Sequence, residues 1–421
     1  MQYEVKTLYG LQKRINAIGV AVPGSKSLTA RALMLAVLKD GITEILNILP
    51  GPETESLLSA LFDLGFEFDL GDEGMTVIVY GKGGDIPVRD AKVNLGCSLM
   101  GARCLPSILA FAGGEYYIDG GEAIRKRSYK GLFDALIEAG VRIIYHETEG
   151  CFPVTLISDG IKEGTVKIAQ GEHSGYVSGL MIAQMISPSV TIMYGDSVRK
   201  NPFTEEEAAA EEQRDLSEDE EEHEVYFVEP DMTYANYYFA MALILGITVQ
   251  VADTHTDSVQ SDIEFLRVLK RMGCSITDEE DGIKVTGPKD GIYRAVRSDF
   301  SSIPEQTYTY LAAAAFAKAT THITGVEKFI KQESERLEIL AAEFAKIGVK
   351  IKVADDGITV HAGKMHGGVL DAHGDVRIAM IFALIGLREE GVMIDNAECI
   401  KKHFGEFFAT IDKLRSILEQ K

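Results

Sequence analysis

The amino-acid sequence predicts an α/β protein built as two similar halves, and three observations predict it. One pattern, leucines at helical spacing followed by two alternating strands, occurs four times along the 421 residues. Strongly apolar helical stretches interleave with those repeats. The length also exceeds what one ordinary core accommodates, so two domains are the default.

The four repeats begin at Leu57, Leu132, Phe265 and Leu337. In each, helical period gives way to period 2 at a glycine able to take a left-handed C-cap: Gly65, Gly140, Gly273 and Gly348. An acidic turn carrying Gly74, Gly150, Gly282 or Gly357 then joins two strands. Apolar helices are expected over 26–39, 100–112, 174–187, 233–245, 304–318 and 375–388. A boundary near residue 228 divides the halves. One domain is expected over 22–228, and a discontinuous one over 1–21 plus 229–421. Two halves built alike leave a cleft between them, where small ligands usually bind.

Composition narrows the function. The apolar fraction is 46% and aromatics are 8%, values of a soluble globular chain. Five cysteines, Cys97, Cys104, Cys151, Cys274 and Cys399, form no C-x-x-C pair. They argue against a disulfide framework or zinc site and fit a reducing compartment. No cationic-then-apolar leader and no long uncharged apolar run is visible, so a cytoplasmic protein is expected. The net charge is −22, and half of it lies in residues 205–224, "EEEAAAEEQRDLSEDEEEHE", read as a solvated segment. That balance makes nucleic-acid binding unfavourable, because phosphate neutralisation needs a basic face. A local cationic pocket elsewhere is not excluded.

Several segments carry charge into apolar stretches. "PGSKSLTARAL" has the parts of an anion site: a Pro23-Gly24 turn, Ser25 or Ser27 as cap, first-turn N–H groups, and Lys26 and Arg31 nearby. It is not a Walker A loop, since Ser25 separates Gly24 from Lys26. "EAIRKRSYKGL" clusters Arg125, Lys126, Arg127 and Lys130; "KQESERLEIL" puts Glu333 and Arg336 at i, i+3; "GDVRIAM" sets Arg377 at a helix mouth. "ECIKKHFGEFF" offers Lys401 and Lys402, and "SSIPEQTYTY" puts Glu305 at a helix start. Taken singly, each is explained by capping, dipole effects or surface ion pairs.

Their order along the chain resembles the EPSP synthases, the 3-phosphoshikimate 1-carboxyvinyltransferases of the enolpyruvyl transferase family. "LPGSKSxSNRAL" of that family is matched by the stretch from Val22, R-x-R-P by the Arg125–Ser128 stretch, and S-x-Q-G-D by "SVQSD". I-P-D-x-x-M is matched by "IPEQTY", V-K-E-T-D-R-L by "IKQESERL", D-H-R-x-A-M by "DVRIAM", and the closing C-x-x-K-T-F by "CIKKHF". The resemblance implies two domains, each of three βαβαββ units (an inside-out α/β barrel), with the ligand cleft between them. It implies a monomer that acts without metal or organic cofactor in the shikimate pathway to chorismate and the aromatic amino acids. Phosphoenolpyruvate would be held by Lys26, Arg127, Arg336, Arg377 and Lys402. Shikimate 3-phosphate would be held by Lys26, Ser27, Arg31, Ser174 and Glu305. Glu305 and Glu333 would exchange the protons, assisted by Lys26.

This chain departs from the family pattern at several points. Cys97–Met100 stand where the family has N-A-G-T, Gln332 replaces the lysine before the glutamate, and Val376 replaces the histidine of D-H-R. These departures keep an alternative open: a catalytically impaired homologue that binds a phosphorylated ligand or a protein partner. A relative acting on a nucleotide sugar is disfavoured by the G-S-K-S start.

Overall fold

Helices that are apolar all round must be enclosed by protein, and they set the plan of the computed structural model. It describes residues 1–11, 17–71, 74–201, 223–361, 363–401 and 405–420. The chain divides into two compact units: Met1–Val22 with Pro230–Lys421, and Pro23–Glu229. In the first, the Met232–Leu245, Thr307–Ala315 and Val376–Arg388 helices pack on one another, nearly every residue buried. In the second, Lys26–Leu38, Leu99–Ala112 and Ser174–Ala183 do the same. Gly179 permits one of these crossings: a Cβ there would lie 2.6 Å from the Cys104 Cα. No described helix is long and apolar enough to cross a membrane.

Three sheets accompany each helix trio. In the Pro23–Glu229 unit, the strands run 223–227, 42–46, 77–80, 67–70 in one sheet and 90–94, 114–119, 154–158, 142–145 in the next. A three-stranded sheet of 165–168, 191–194 and 197–198 completes it. In the other unit, one sheet runs 275–279, 282–286, 248–252, 18–20 and another 298–299, 321–324, 357–361, 350–354. Strand 392–395 lies between 3–4 and 368–371 in its third sheet. Each four-stranded sheet joins a parallel pair to an antiparallel hairpin. Chain order from Asp90 to Ser158 and from Ser298 to His361 is βαβαββ.

All four expected helix–hairpin repeats are present, and the glycines that end their helices have φ between 85° and 121°. A left-handed backbone there lets the chain reverse without a Cβ clash. Two expectations differ from the structure, and a third lies largely outside the described residues. The 304–318 helix is divided into a 3-10 turn, Pro304–Gln306, and an α-helix, Thr307–Ala315; the Gln306 amide bonds the Ile303 carbonyl, the tighter i→i+3 pattern common at helix starts. The 174–187 helix ends at Ala183, ahead of Pro188, as the Gln184 side chain bonds the Val190 carbonyl. The acidic block lies outside the described residues except His223 and Glu224, which begin a strand parallel to Ile42–Leu46.

Candidate active site

Two buried helices of the first unit bring their N-terminal ends to one place. Asp375 caps the Val376–Arg388 helix, its Oδ1 accepting from the Arg377 amide at 2.8 Å. Its Oδ2 accepts from Arg336 Nε at 2.7 Å. Arg336 also pairs with Glu333, which occupies the N-cap position of the helix carrying it without making a capping bond. Arg377 Nη1 donates to Glu305 Oε2 at 3.0 Å, a contact spanning 72 residues of sequence. Glu305, Glu333, Arg336 and Arg377 therefore meet in one network.

Tyr308 lies at its centre. Its hydroxyl donates to Glu333 Oε2 at 2.8 Å and accepts from Arg336 Nη1 at 3.3 Å. Its ring faces the Arg377 guanidinium at 5.1 Å and that of Arg336 at 5.9 Å. Burial pushes the phenol up, so it stays protonated and donates. Burial opposes the Arg377 charge, but Glu305 and Asp375 outweigh it and raise its proton affinity. The guanidiniums are fixed, permanent charges at helix N-termini, the arrangement that suits anionic oxygens.

The second unit gathers another set. Lys26 opens its helix and its Nζ pairs with Glu53 at 2.5 Å; Ser27 beside it is half-buried. Ser25 occupies the cap position, yet its side chain makes no capping bond. Arg31 Nη2 donates to Ser178 Oγ at 3.2 Å, and its buried Nε has no hydrogen-bond partner. Ser178 lies on the helix that exposed Ser174 begins. Arg103, half-buried, makes no ion pair among the described residues; burial, with the Arg127 charge nearby, lowers its proton affinity.

The cluster at 125–130 separates into two kinds of cation. Arg125 pairs with Asp119 and Glu147, Lys126 with Glu122, and Lys130 with Asp134 and Glu149. Surface pairing accounts for these three. The Arg127 guanidinium has no hydrogen bond or ion pair among the described residues, in a chain that carries 22 more carboxylates than Lys and Arg side chains. Lys402 lies outside the described residues.

Sequence reasoning passed over Asp375, Tyr308 and Arg103. Asp375 had a signal, an aspartate directly before an apolar helix. Arg103 had one too, a single cation within "LMGARCLPSILAFA". Tyr308 had none beyond its distance of three residues from Glu305.

Two α/β units, each with three buried helices and a set of arginines near helix starts, define the fold class found in EPSP synthases. Solved structures of that enzyme from Acinetobacter baumannii align with TM-scores of 0.79 and 0.78, at 21% identity, over 95% of this chain and 96% of theirs. The family model described as EPSP synthase (3-phosphoshikimate 1-carboxyvinyltransferase) matches residues 12–205 and 206–411, and the chain belongs to that family. Among its relatives, a 3-phosphoshikimate 1-carboxyvinyltransferase of Sulfurovum is 32% identical over 94% of this chain and 96% of that protein. One from Syntrophobacter fumaroxidans is 32% identical over 99% of this chain and the whole of its own length.

Proposed function

We propose that this chain transfers the enolpyruvyl group of phosphoenolpyruvate to the 5-hydroxyl of shikimate 3-phosphate and releases phosphate. The 5-hydroxyl oxygen bonds to C2 of phosphoenolpyruvate and gives up its proton, while the C3 methylene gains one to become a methyl. Loss of that methyl proton then expels phosphate from the tetrahedral ketal and restores the double bond. Atoms balance with no redox change. Glu305 and Glu333 are the acid and base of these exchanges, and Lys26 assists.

The observation that carries this reading is the convergence of two carboxylates and two arginines in one unit, with Glu305 and Arg377 far apart in sequence. Those arginines pair with the very carboxylates that would move protons. An incoming anion competes for the guanidinium, and a carboxylate that loses its cationic partner holds a proton more readily. Substrate binding thereby arms the acid. Arg127, Arg336, Arg377, Lys402 and Lys26 take the phosphoenolpyruvate charges. Lys26, Ser27, Arg31, Ser174 and Glu305 take shikimate 3-phosphate, with half-buried Arg103 added to the cations of the second unit.

We read the protein as a cytoplasmic monomer; its five cysteines are free, which suits a reducing compartment. Mixing purified protein with both substrates tests the reaction. Phosphate release that requires both is expected. A raised melting temperature with each substrate but no phosphate release would leave only the binding homologue.

A further inference from the structure

The 298–299, 321–324, 357–361, 350–354 sheet carries a groove of about 330 Å³ lined by Arg297, His322, Thr324, Lys352, Asp356 and Thr359 among others. Register explains the lining. His322 and Lys352 both stand opposite Thr359, on neighbouring strands, so their side chains share one face. Ile323, Ile351 and Ile358, at alternate positions, are buried on the other. Arg297 reaches the groove from just before the first strand. His322 Nδ1 bonds Thr359 Oγ1 at 3.1 Å, while its Nε2 makes no bond among the described residues.

Charge is what sets this groove apart. The side chains of Arg297 and Lys352 have neither ion pair nor hydrogen bond among the described residues, in a chain of net charge −22. The other four-stranded sheet of the same unit is the control. There Lys284 pairs with Glu279, and Gln250 Nε2 donates to Asp281 Oδ1. On the groove's sheet no carboxylate stands across from Lys352 or Lys350; their partners are Thr359 and His361.

We propose that this groove is a binding site for a small phosphate ester. Donors from separate segments (guanidinium, ammonium, hydroxyl and imidazole) match a tetrahedral group with three terminal oxygens better than a planar carboxylate with two. Asp356, the one carboxylate in the lining, accepts a hydrogen bond from a hydroxyl on the body of the ester. The volume is at the lower end for small-ligand pockets. The field of a strongly acidic chain repels anions, so occupancy depends on these local cations. None of the lining residues belongs to the Glu305–Arg377 network, so this ligand is additional to the substrates.

Inorganic phosphate is the probe, titrated into the full chain at constant ionic strength while the His322 ring resonance is followed by NMR. A saturable shift is expected. Arg297→Ala and Lys352→Ala each weaken it by roughly tenfold or more, the loss of one charge-assisted contact. Arg127→Ala, which removes a cation proposed for the substrates, leaves the His322 response intact. A linear, unsaturable shift overturns the site, and so does an unchanged affinity in the Arg297→Ala/Lys352→Ala double variant. Both changed side chains are exposed, and an unaltered circular dichroism spectrum verifies that the variants fold.

Discussion

Replacing Tyr308 by phenylalanine removes one oxygen from the centre of the network and leaves the ring in place. The hydroxyl's bond to Glu333 at 2.8 Å and its contact with Arg336 at 3.3 Å are lost. A hydrogen bond to a charged group contributes about 1.5–3 kcal/mol. Glu333 and Arg336 keep each other as partners and their side chains retain 22% and 26% exposure, so the lower figure applies. A loss of about 1.5 kcal/mol from the carboxylate form corresponds to roughly one pH unit. The acidic limb of kcat, followed by phosphate release from both substrates, is expected to move up by about that much. The ring still faces both arginines, so KM for phosphoenolpyruvate stays within about twofold. Tyr308→Met removes the ring as well. Two cation–π contacts at about 0.5–1 kcal/mol each then go, raising that KM by roughly five- to thirtyfold. A Tyr308→Phe pH profile that overlays the wild type would refute the reasoning.

Four further outcomes are expected. Arg127→Ala lowers kcat/KM by about tenfold or more in the same assay, whereas Arg125→Ala, which removes only surface pairs, changes it by less than about twofold. Asp375→Ala removes a helix cap and the Arg336 anchor together, costing about 1–2 kcal/mol in urea unfolding and raising KM for phosphoenolpyruvate. Gly179→Val forces a side chain against the Cys104 backbone and destabilises by about 1–3 kcal/mol, measured the same way. Burial disfavours the Asp371 charge, but the His373 amide and the Asn396 side chain outweigh it and hold its carboxyl below the ordinary value. A depressed folded-state value gives stability that is present above about pH 4 and lost as pH falls through it. The Asp371→Asn deficit is therefore largest near neutrality and narrows under acid.

Much of the architecture is local and so was visible in the sequence. Gly348 ending one helix and Gly357 turning the next hairpin require only their immediate neighbours, and both have positive φ in the structure. At 304–318 the apolar pattern is the same in a 3-10 turn and in an α-helix, so the division at Gln306 was not readable. Site residues divide along a similar line. Glu333 and Arg336 are adjacent on one helix and their pairing was readable from spacing. Arg377 finding Glu305 was readable only through family resemblance, because 72 residues intervene. Nothing in "EAIRKRSYKGL" says which of its cations lacks a carboxylate. That depends on Asp119, Glu147 and Glu149, brought in by neighbouring segments. Tyr308 was invisible for the same reason, since an aromatic residue in an apolar helix reads as core until its hydroxyl is seen to have charged neighbours.

Strand Tyr3–Glu4 pairs with Val392–Asp395, and Ile18–Val20 with Val249–Val251. Translation delivers these partners at very different times. At about 5–20 residues per second, the opening strand leaves the ribosome roughly 20–80 seconds before its mate exists. The Pro23–Glu229 unit, being continuous, is synthesised whole during that wait. The nascent chain must therefore keep its first strands from pairing elsewhere; a truncation before residue 392 strands Tyr3–Glu4 permanently, and one before residue 248 strands Ile18–Val20 as well.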